Sequence, residues 1–214
     1  MPSDTRPDAP PDDDSLVARA VRRRAGDRYA VAEKEVRRIL DVGLELMREN
    51  PDGDVRIADI TRRAEVSNDA FYRAFRSKSD LMAAIADEGS RRLAGYVRHA
   101  MGKQADPAER VRAGALAVLA QAVDQEVAAT TRAVLRHVSR TQARGFLGVE
   151  RELADLLVDP LTELGSPDPQ ADALVTACSL FGCMEHFLWS AAQPTDDQVE
   201  SVVSWVLRAA GGPR

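Results

Sequence analysis

Apolar side chains recur every three to four residues along most of the chain, and this spacing places them on one face of an α-helix. The first full stripe comprises Val36, Ile39, Leu40, Gly43, Leu44 and Met47. The breaker residues at positions 50–53 end it, so the pattern predicts a helix over residues 32–49. No segment alternates with the period of a strand, and no internal repeat is visible. The sequence therefore predicts an all-α fold.

Two short helices follow the first one. Ile57, Ile60, Thr61 and Ala64 form a brief helical stripe that runs into a tight turn at residues 64–66. Ser67 is a good N-cap because its hydroxyl can accept from a free N–H of the next helix, which we predict over residues 68–75. Two short helices joined by a three- or four-residue turn form a helix-turn-helix, the motif that places one helix in the DNA major groove.

The second short helix has two chemically different faces. Phe71, Ala74 and Phe75 are spaced to share an inward face. The outward face carries Asn68, Asp69, Tyr72, Arg73 and Arg76. Asn can pair with adenine, Arg with guanine, and Asp can accept from the cytosine amine, whereas Tyr and Arg also bind phosphates. The alternative is a solvated polar face without a ligand.

Longer helices fill the remainder of the chain. We predict them over residues 78–101, 106–126, 128–140, 145–165, 170–192 and 195–210, separated by Gly- or Pro-containing breaks. Pro107 suits a first helical turn. Thr195 and Asp196 are candidate caps for the last helix.

The segment Ile39–Ile85 resembles the DNA-binding domain of TetR-family (tetracycline-repressor-like) transcriptional regulators. The family pattern has a helix ending in A-G-V-S and a recognition helix with L-Y-x-x-F-x-x-K. This chain has A-E-V-S at residues 64–67 and F-Y-R-A-F-R-S-K at residues 71–78. The resemblance implies a three-helix head followed by a helical ligand-binding and dimerisation domain. It implies DNA contacts by Ser67, Asn68, Asp69, Tyr72, Arg73, Arg76 and Lys78. The alternative for Lys78 is a solvated lysine.

Three residues depart from the family pattern. Glu65 stands where a turn glycine is usual, and a non-glycine residue in a left-handed turn is strained. Thr61 replaces an alanine at a close contact between the two short helices. Asp69 places a negative charge near DNA, although it also suits the N-terminus of its helix.

The charge distribution fits a DNA-binding head better than the total charge does. The 214 residues carry a net charge of −5, but residues 15–80 hold fifteen basic and twelve acidic residues, giving +3. Residues 1–14 and 81–214 each carry −4. Dissolved salt screens the interaction between exposed charges beyond about 8–10 Å, so the charge near the DNA-binding face governs phosphate contact.

Three regions are expected along the chain. Residues 1–28 are predicted to be disordered or a basic N-terminal arm, residues 29–78 the helix-turn-helix domain, and residues 79–214 the ligand-binding and dimerisation domain. The arginines at positions 19, 22, 23, 24 and 28 have three interpretations: a solvated tail, an arm that enters the minor groove, or an extension of the first helix. The absence of a long apolar run and of a secretory signal predicts a cytoplasmic protein without a membrane span.

The last two predicted helices suggest how the chain pairs. The helix over residues 170–192 is apolar on more than one side, and such a helix needs more than one neighbour. We expect a two-fold homodimer through residues 170–210 whose terminal helices form a four-helix bundle. The alternative is a larger monomeric core.

The resemblance also implies an unidentified small-molecule effector, held by the middle helices. Candidate lining residues are Tyr96, Leu119, Leu135, His137, Phe146, Phe181, His186 and Trp189. The alternative is that each of them packs in the core. An apolar ligand with one polar group suits these side chains.

The sequence offers little support for metal binding or catalysis. Cys183 and His186 are neighbours on one helix, but a metal site needs three or four ligands, so we predict neither a metal nor a cofactor. No phosphate loop or nucleophile motif occurs, and an enzyme is not expected. The predicted function is a DNA-binding transcriptional regulator, a repressor released from a palindromic operator by a small molecule. The alternative is a helical ligand-binding or protein-interaction module with weak or lost DNA binding.

Overall fold

The computed structural model describes residues 16–51, 53–139, 146–190 and 192–211. Within these ranges the chain forms nine α-helices and no strand, which confirms the all-α prediction. The helices are α1 (Leu16–Glu49), α2 (Ile57–Ala64), α3 (Asn68–Ala74), α4 (Lys78–Gly102), α5 (Pro107–Val123), α6 (Gln125–Ser139), α7 (Phe146–Glu163), α8 (Pro169–Trp189) and α9 (Asp196–Gly211).

Helix α1 is much longer than predicted. It spans 34 residues and begins at Leu16, so the arginine-rich stretch over residues 16–28 takes the third interpretation, an extension of the first helix. This stretch has no clean apolar stripe, but it is rich in Arg and Ala, which favour helix wherever the chain can continue one. The disorder predicted for residues 1–15 concerns residues outside the described ranges.

The N-terminal head comprises α1, α2, α3 and the first turns of α4. Its core contains Ile39, Met47, Ile60, Phe71 and Leu81, each fully buried. Gly43 allows α1 and α4 to approach closely, since a Cβ atom there would lie 2.9 Å from Cδ1 of Ile85. Helix α4 begins near residue 78, as predicted. Its first turns nevertheless belong to the core of the head.

A second core occupies the C-terminal part of the molecule. It is formed by the later turns of α4 and by α5, α7, α8 and α9, with α7 and α8 packed closely together. Helix α5 ends at Val123, three residues before the prediction. The reason is Asp124, whose Oδ1 accepts from the backbone N–H groups of Glu126 and Val127 and thereby caps a new helix.

Helix α6 connects the two cores. Its Ala133 is fully buried and belongs to the head core, whereas its Ala128 and Leu135 belong to the second core. The sequence gives no sign of this division, because both contacts join residues far apart along the chain. In the described part of the chain, no helix combines the length and the apolar character that crossing a membrane requires.

Candidate nucleic-acid interface

The turn between α2 and α3 contains a left-handed residue, as expected from its sequence. Glu65 has φ 54° and ψ 41°, and no other non-glycine residue in the described ranges has a positive φ. The N–H of Val66 donates to the carbonyl of Thr61 over 3.0 Å, which closes the end of α2. The side chain of Glu65 forms an ion pair with Arg38 of α1 at 2.9 Å. The turn is therefore tied to the first helix despite its backbone strain.

Helix α3 is anchored at its start and along its inner face. Ser67 caps it, with Oγ accepting from the N–H of Ala70 over 3.0 Å. Phe71 is fully buried and Phe75 nearly so, and their ring centroids lie 5.8 Å apart. Ala70 is also buried, a core residue that the stripe analysis missed. These contacts fix the orientation of a helix that is too short to be stable alone.

The outer face of α3 is open to solvent. Asn68, Asp69, Arg73 and Arg76 are exposed, and Tyr72 is 56% exposed with its ring edge against Phe71. The two faces predicted from the sequence are therefore confirmed. Asp69, Tyr72, Arg73 and Arg76 therefore remain open to solvent on this face.

The cations of the head divide into two groups. Arg62 pairs with Asp59 at 2.6 Å, and Arg63 pairs with Glu49 at 2.6 Å. Arg73 and Arg76 of the outer face, by contrast, form no ion pair with any residue that the structure describes. Their guanidinium groups are therefore available to an external anion or base.

Lys78 occupies the first turn of α4, next to the α3 face. Its Nζ forms an ion pair with Asp54, a residue of the loop before α2. The hydrogen bond and the charge of Lys78 hold the pKa of Asp54 below its ordinary value. A phosphate at this position would compete with Asp54 for the ammonium group.

Asn68 is held by the residue that departs from the family pattern in α2. Thr61 is buried, and its hydroxyl lies 3.2 Å from Oδ1 of Asn68 and 3.3 Å from the carbonyl of Ala58. The bond to Asn68 leaves the amide NH₂ of that side chain directed to other partners. Thr61 therefore influences which groups of the Asn68 side chain stay open to other partners.

The comparisons with known proteins agree with this head. The model of the family described as "Bacterial regulatory proteins, tetR family" matches residues 39–85, the segment that builds the helix-turn-helix and its core. The segment 39–85, about a fifth of the chain, therefore matches the TetR family. No curated protein sequence matches it significantly.

Solved structures show the same overall fold. A TetR-family transcriptional regulator from Streptomyces coelicolor has a TM-score of 0.61 and 22% identity, over 88% of this chain and 92% of that one. RolR in complex with resorcinol has a TM-score of 0.63 and 19% identity, over 86% and 97%. The fatty acid degradation regulator FadR from Bacillus halodurans has a TM-score of 0.61 and 17% identity, over 84% and 96%. The chain thus has the fold of TetR-family DNA-binding transcriptional regulators.

A cavity of about 450 Å³ lies between the head and the C-terminal helices. Three of the predicted lining residues, Tyr96, Leu135 and Phe181, border it. Leu40, Asp41 and Leu44 of α1 also border it. The sequence placed Leu40 and Leu44 on the apolar stripe of the first helix, and both also pack against the head core, because periodicity does not show which neighbours a face meets.

The other predicted lining residues lie elsewhere. Leu119 is fully buried in the second core. The Nδ1 of His137 lies 2.7 Å from the carbonyl of Ala133, within its own helix. His186 and Trp189 are exposed at the end of α8, where Arg136 stacks 5.3 Å from the Trp189 ring centroid. Phe146 begins α7, but its side chain lies outside the described part of the structure.

One side of α8 carries exposed apolar residues. Ala177, Phe181 and Met184 are buried against the rest of the protein, as expected for its inner side. Leu174, Val175 and Trp189 are 49%, 59% and 46% exposed, and Trp205 of α9 is 45% exposed. We call these four residues the terminal apolar surface.

The cysteines lie on α8 in different environments. Cys178 is exposed and Cys183 is half-buried, and burial raises the pKa of the Cys183 thiol. Among the residues that the structure describes, no group of three or more His, Cys, Asp or Glu side chains is arranged to hold a metal ion.

Proposed function

We propose that this protein is a homodimeric repressor that binds a palindromic operator and is released by a small molecule. The observation that carries the proposal is the outer face of α3, a set of exposed polar side chains on a helix fixed by two buried phenylalanines. A rigid helix with that surface can enter the major groove without rearrangement. Such a regulator acts by binding, so it needs no catalytic site, and it would act on DNA in the cytoplasm.

The residues of the head would have separate roles on DNA. Asn68 and Arg73 would contact base edges, because their amide and guanidinium groups match the donor and acceptor pattern of the major groove. Tyr72, Arg76 and Lys78 would contact phosphates, which set position rather than sequence. Asp69 would be tolerated where it accepts from a cytosine amine. Ser67 would contribute through the cap that starts α3.

Dimerisation would join two heads through the terminal apolar surface. Exposed side chains as large as Val175 and Trp205 on neighbouring helices favour burial against a second copy. A two-fold dimer presents two α3 helices to half-sites about one helical turn, or ~34 Å, apart. A palindromic operator is the DNA that matches this symmetry.

Release of the protein from its operator would follow from the position of the cavity. Its wall includes α1 and α4 of the head as well as α6, which packs against both cores. A molecule that binds better to one arrangement of these helices shifts the population toward that arrangement. If the favoured arrangement spaces the two heads unsuitably for neighbouring grooves, the operator is released.

The DNA contacts can be tested by gel shift with the DNA upstream of the gene, at fixed salt. Tyr72→Ala and Lys78→Ala should weaken binding to all sequences and lower its salt dependence. Changing Asn68 or Arg73 should instead alter sequence preference. Arg91→Ala is the matched control, since Arg91 is an exposed arginine of α4 paired with Asp87 outside the head core.

Each outcome separates the regulator from a helical module without DNA binding. Loss of affinity in the head variants, with Arg91→Ala unchanged, supports the proposed role. Absence of any specific shift, or binding that ignores Tyr72→Ala and Lys78→Ala, would favour the ligand-binding or protein-interaction module. In a reporter strain, higher expression after deletion of the regulator supports repression, and lower expression contradicts it.

A further inference from the structure

The cavity between the head and the C-terminal helices has a gradient of polarity. Its deep wall is apolar and buried, formed by Ile85, Leu135, Val149, Phe181 and Met184. Its charged lining residues are exposed or half-buried, so they lie toward the opening. A ligand would therefore place an apolar part inside and keep a polar or charged group near the mouth.

The charges at the mouth are predominantly negative. Among the lining residues that the structure describes, Asp41 of α1, Glu88 of α4 and Glu126 of α6 supply three carboxylates, and Arg92 of α4 supplies one basic group. The Nε of Arg92 already donates to Oε1 of Glu88 over 3.1 Å. Glu126 pairs at 3.4 Å with Arg48, which lies outside the lining.

We propose that the effector is an apolar molecule carrying one positive charge, with its apolar part against Phe181 and Met184 and its charge near Asp41 and Glu88. An anionic ligand would meet one guanidinium and three carboxylates, of which Glu88 and Glu126 are themselves paired with arginines, so the excess of negative charge would repel it. A cation at the mouth gains attraction from carboxylates on two helices of the head. The inference rests on the proposal that this cavity is the effector site.

The experiment uses three probes with the same ten-carbon chain and different end groups. Decyltrimethylammonium, decan-1-ol and decanoate are titrated into the full-length protein by calorimetry, each below its micelle concentration. We expect affinity to fall in the order cation, alcohol, anion. The cation should bind about five- to twenty-fold more tightly than the anion, a ratio typical of a few exposed charge interactions. Higher salt should narrow the difference.

Variants of two neighbouring residues test where the charged end of the probe lies. Glu88→Gln removes a carboxylate from the cavity and frees Arg92, so it should weaken binding of the cation several-fold and leave the alcohol nearly unchanged. Asp87→Asn is the matched control, because Asp87 is the adjacent acidic residue of α4, pairs with Arg91, and does not line the cavity. It should change neither affinity.

The possible outcomes are distinct. Equal or tighter binding of decanoate, no binding of any probe, or equal effects of Glu88→Gln and Asp87→Asn would each overturn the proposal. Binding in the expected order without any loss of operator affinity would support the ligand class and contradict the proposed release mechanism. Operator binding that is intact while no probe binds would leave the DNA-binding role standing and remove the proposed ligand.

Discussion

Two adjacent residues of α3, Phe71 and Tyr72, differ sharply in their exposure to solvent. Phe71 is fully buried, whereas Tyr72 is 56% exposed, and their rings meet edge to face with centroids 5.4 Å apart. One residue of an α-helix turns the side chain by about 100°, so neighbours fall on different faces. Phe71 therefore holds the helix in the head, and Tyr72 stays exposed, where we propose that it contacts DNA.

A substitution at Thr61 would test how its buried hydroxyl affects base recognition. Thr61→Val keeps the β-branched shape but removes the hydrogen bond to Asn68 Oδ1. We expect discrimination at one base pair of each half-site to fall by roughly 1 kcal/mol, or about five-fold, the value of one net hydrogen bond. The measurement compares binding to operators with single base changes. Thr61→Ser, which retains a hydroxyl, should preserve the preference, and an unchanged preference in Thr61→Val would contradict this role.

A substitution at Glu65 would measure how much free energy the left-handed backbone of this residue costs the fold. Glu65→Gly should relieve backbone strain and raise the free energy of unfolding by up to about 1 kcal/mol, less the small contribution of the exposed ion pair with Arg38. Denaturant unfolding measures the change. Glu65→Ala is the matched control, since it loses the same ion pair and keeps the strain. A glycine variant no more stable than the alanine variant would mean that the turn is not strained.

At the scale of elements, the start of α4 is joined to the loop before α2. Asp54 and Lys78 form this connection, and the pKa of Asp54 is lowered mainly by its hydrogen bond with Lys78. A carboxyl with a lowered folded-state pKa stabilises the fold above its unfolded-state pKa, and that stabilisation is lost as the pH falls through the lower folded-state value. At neutral pH the pair is therefore formed, and under the proposed function a DNA phosphate would compete with Asp54 for Lys78.

We expect Asp54→Asn to strengthen DNA binding at neutral pH. Freeing the Lys78 ammonium should raise affinity about two- to five-fold, the range for exposed ion pairs, and should steepen the salt dependence. Fluorescence anisotropy with a labelled operator measures both. In a Lys78→Ala background the same substitution should have a smaller effect. An equal effect in both backgrounds would show that Asp54 acts on DNA directly rather than through Lys78.

At the scale of the whole molecule, two cores share α4 and α6. The buried Ala133 of α6 lies in the head core, and the cavity borders α6 on another side. The terminal apolar surface lies at the C-terminal helices, away from the helix-turn-helix in the chain. The surfaces proposed for DNA binding, ligand binding and pairing are therefore separate, and packed helices connect them.

The pairing proposal predicts a change in mass from a single substitution. Val175→Glu places a charge in the terminal apolar surface, so it should dissociate the dimer and weaken operator binding. Val31→Glu is the matched control, because Val31 on α1 is also 59% exposed and lies outside that surface. Light scattering during size-exclusion chromatography measures the mass. A wild-type mass that stays monomeric at every concentration would refute the dimer.

The helix-turn-helix could be predicted from the sequence because its signals are local. The cap at Ser67, the paired phenylalanines and the polar residues between them lie within nine positions, and helical geometry alone assigns their faces. The left-handed turn at Glu65 was instead expected from the resemblance, because the family pattern usually has a glycine there.

Only the tertiary structure decided which distant faces meet. It placed Ala133 in the head core, joined Asp54 to Lys78, and brought Leu40 of α1 to a cavity that also contains Phe181 of α8. It also placed His186 and Trp189 outside that cavity. Periodicity reports that a helix has an apolar face, but the neighbour of that face depends on how all the helices pack, and residues far apart in sequence determine that together.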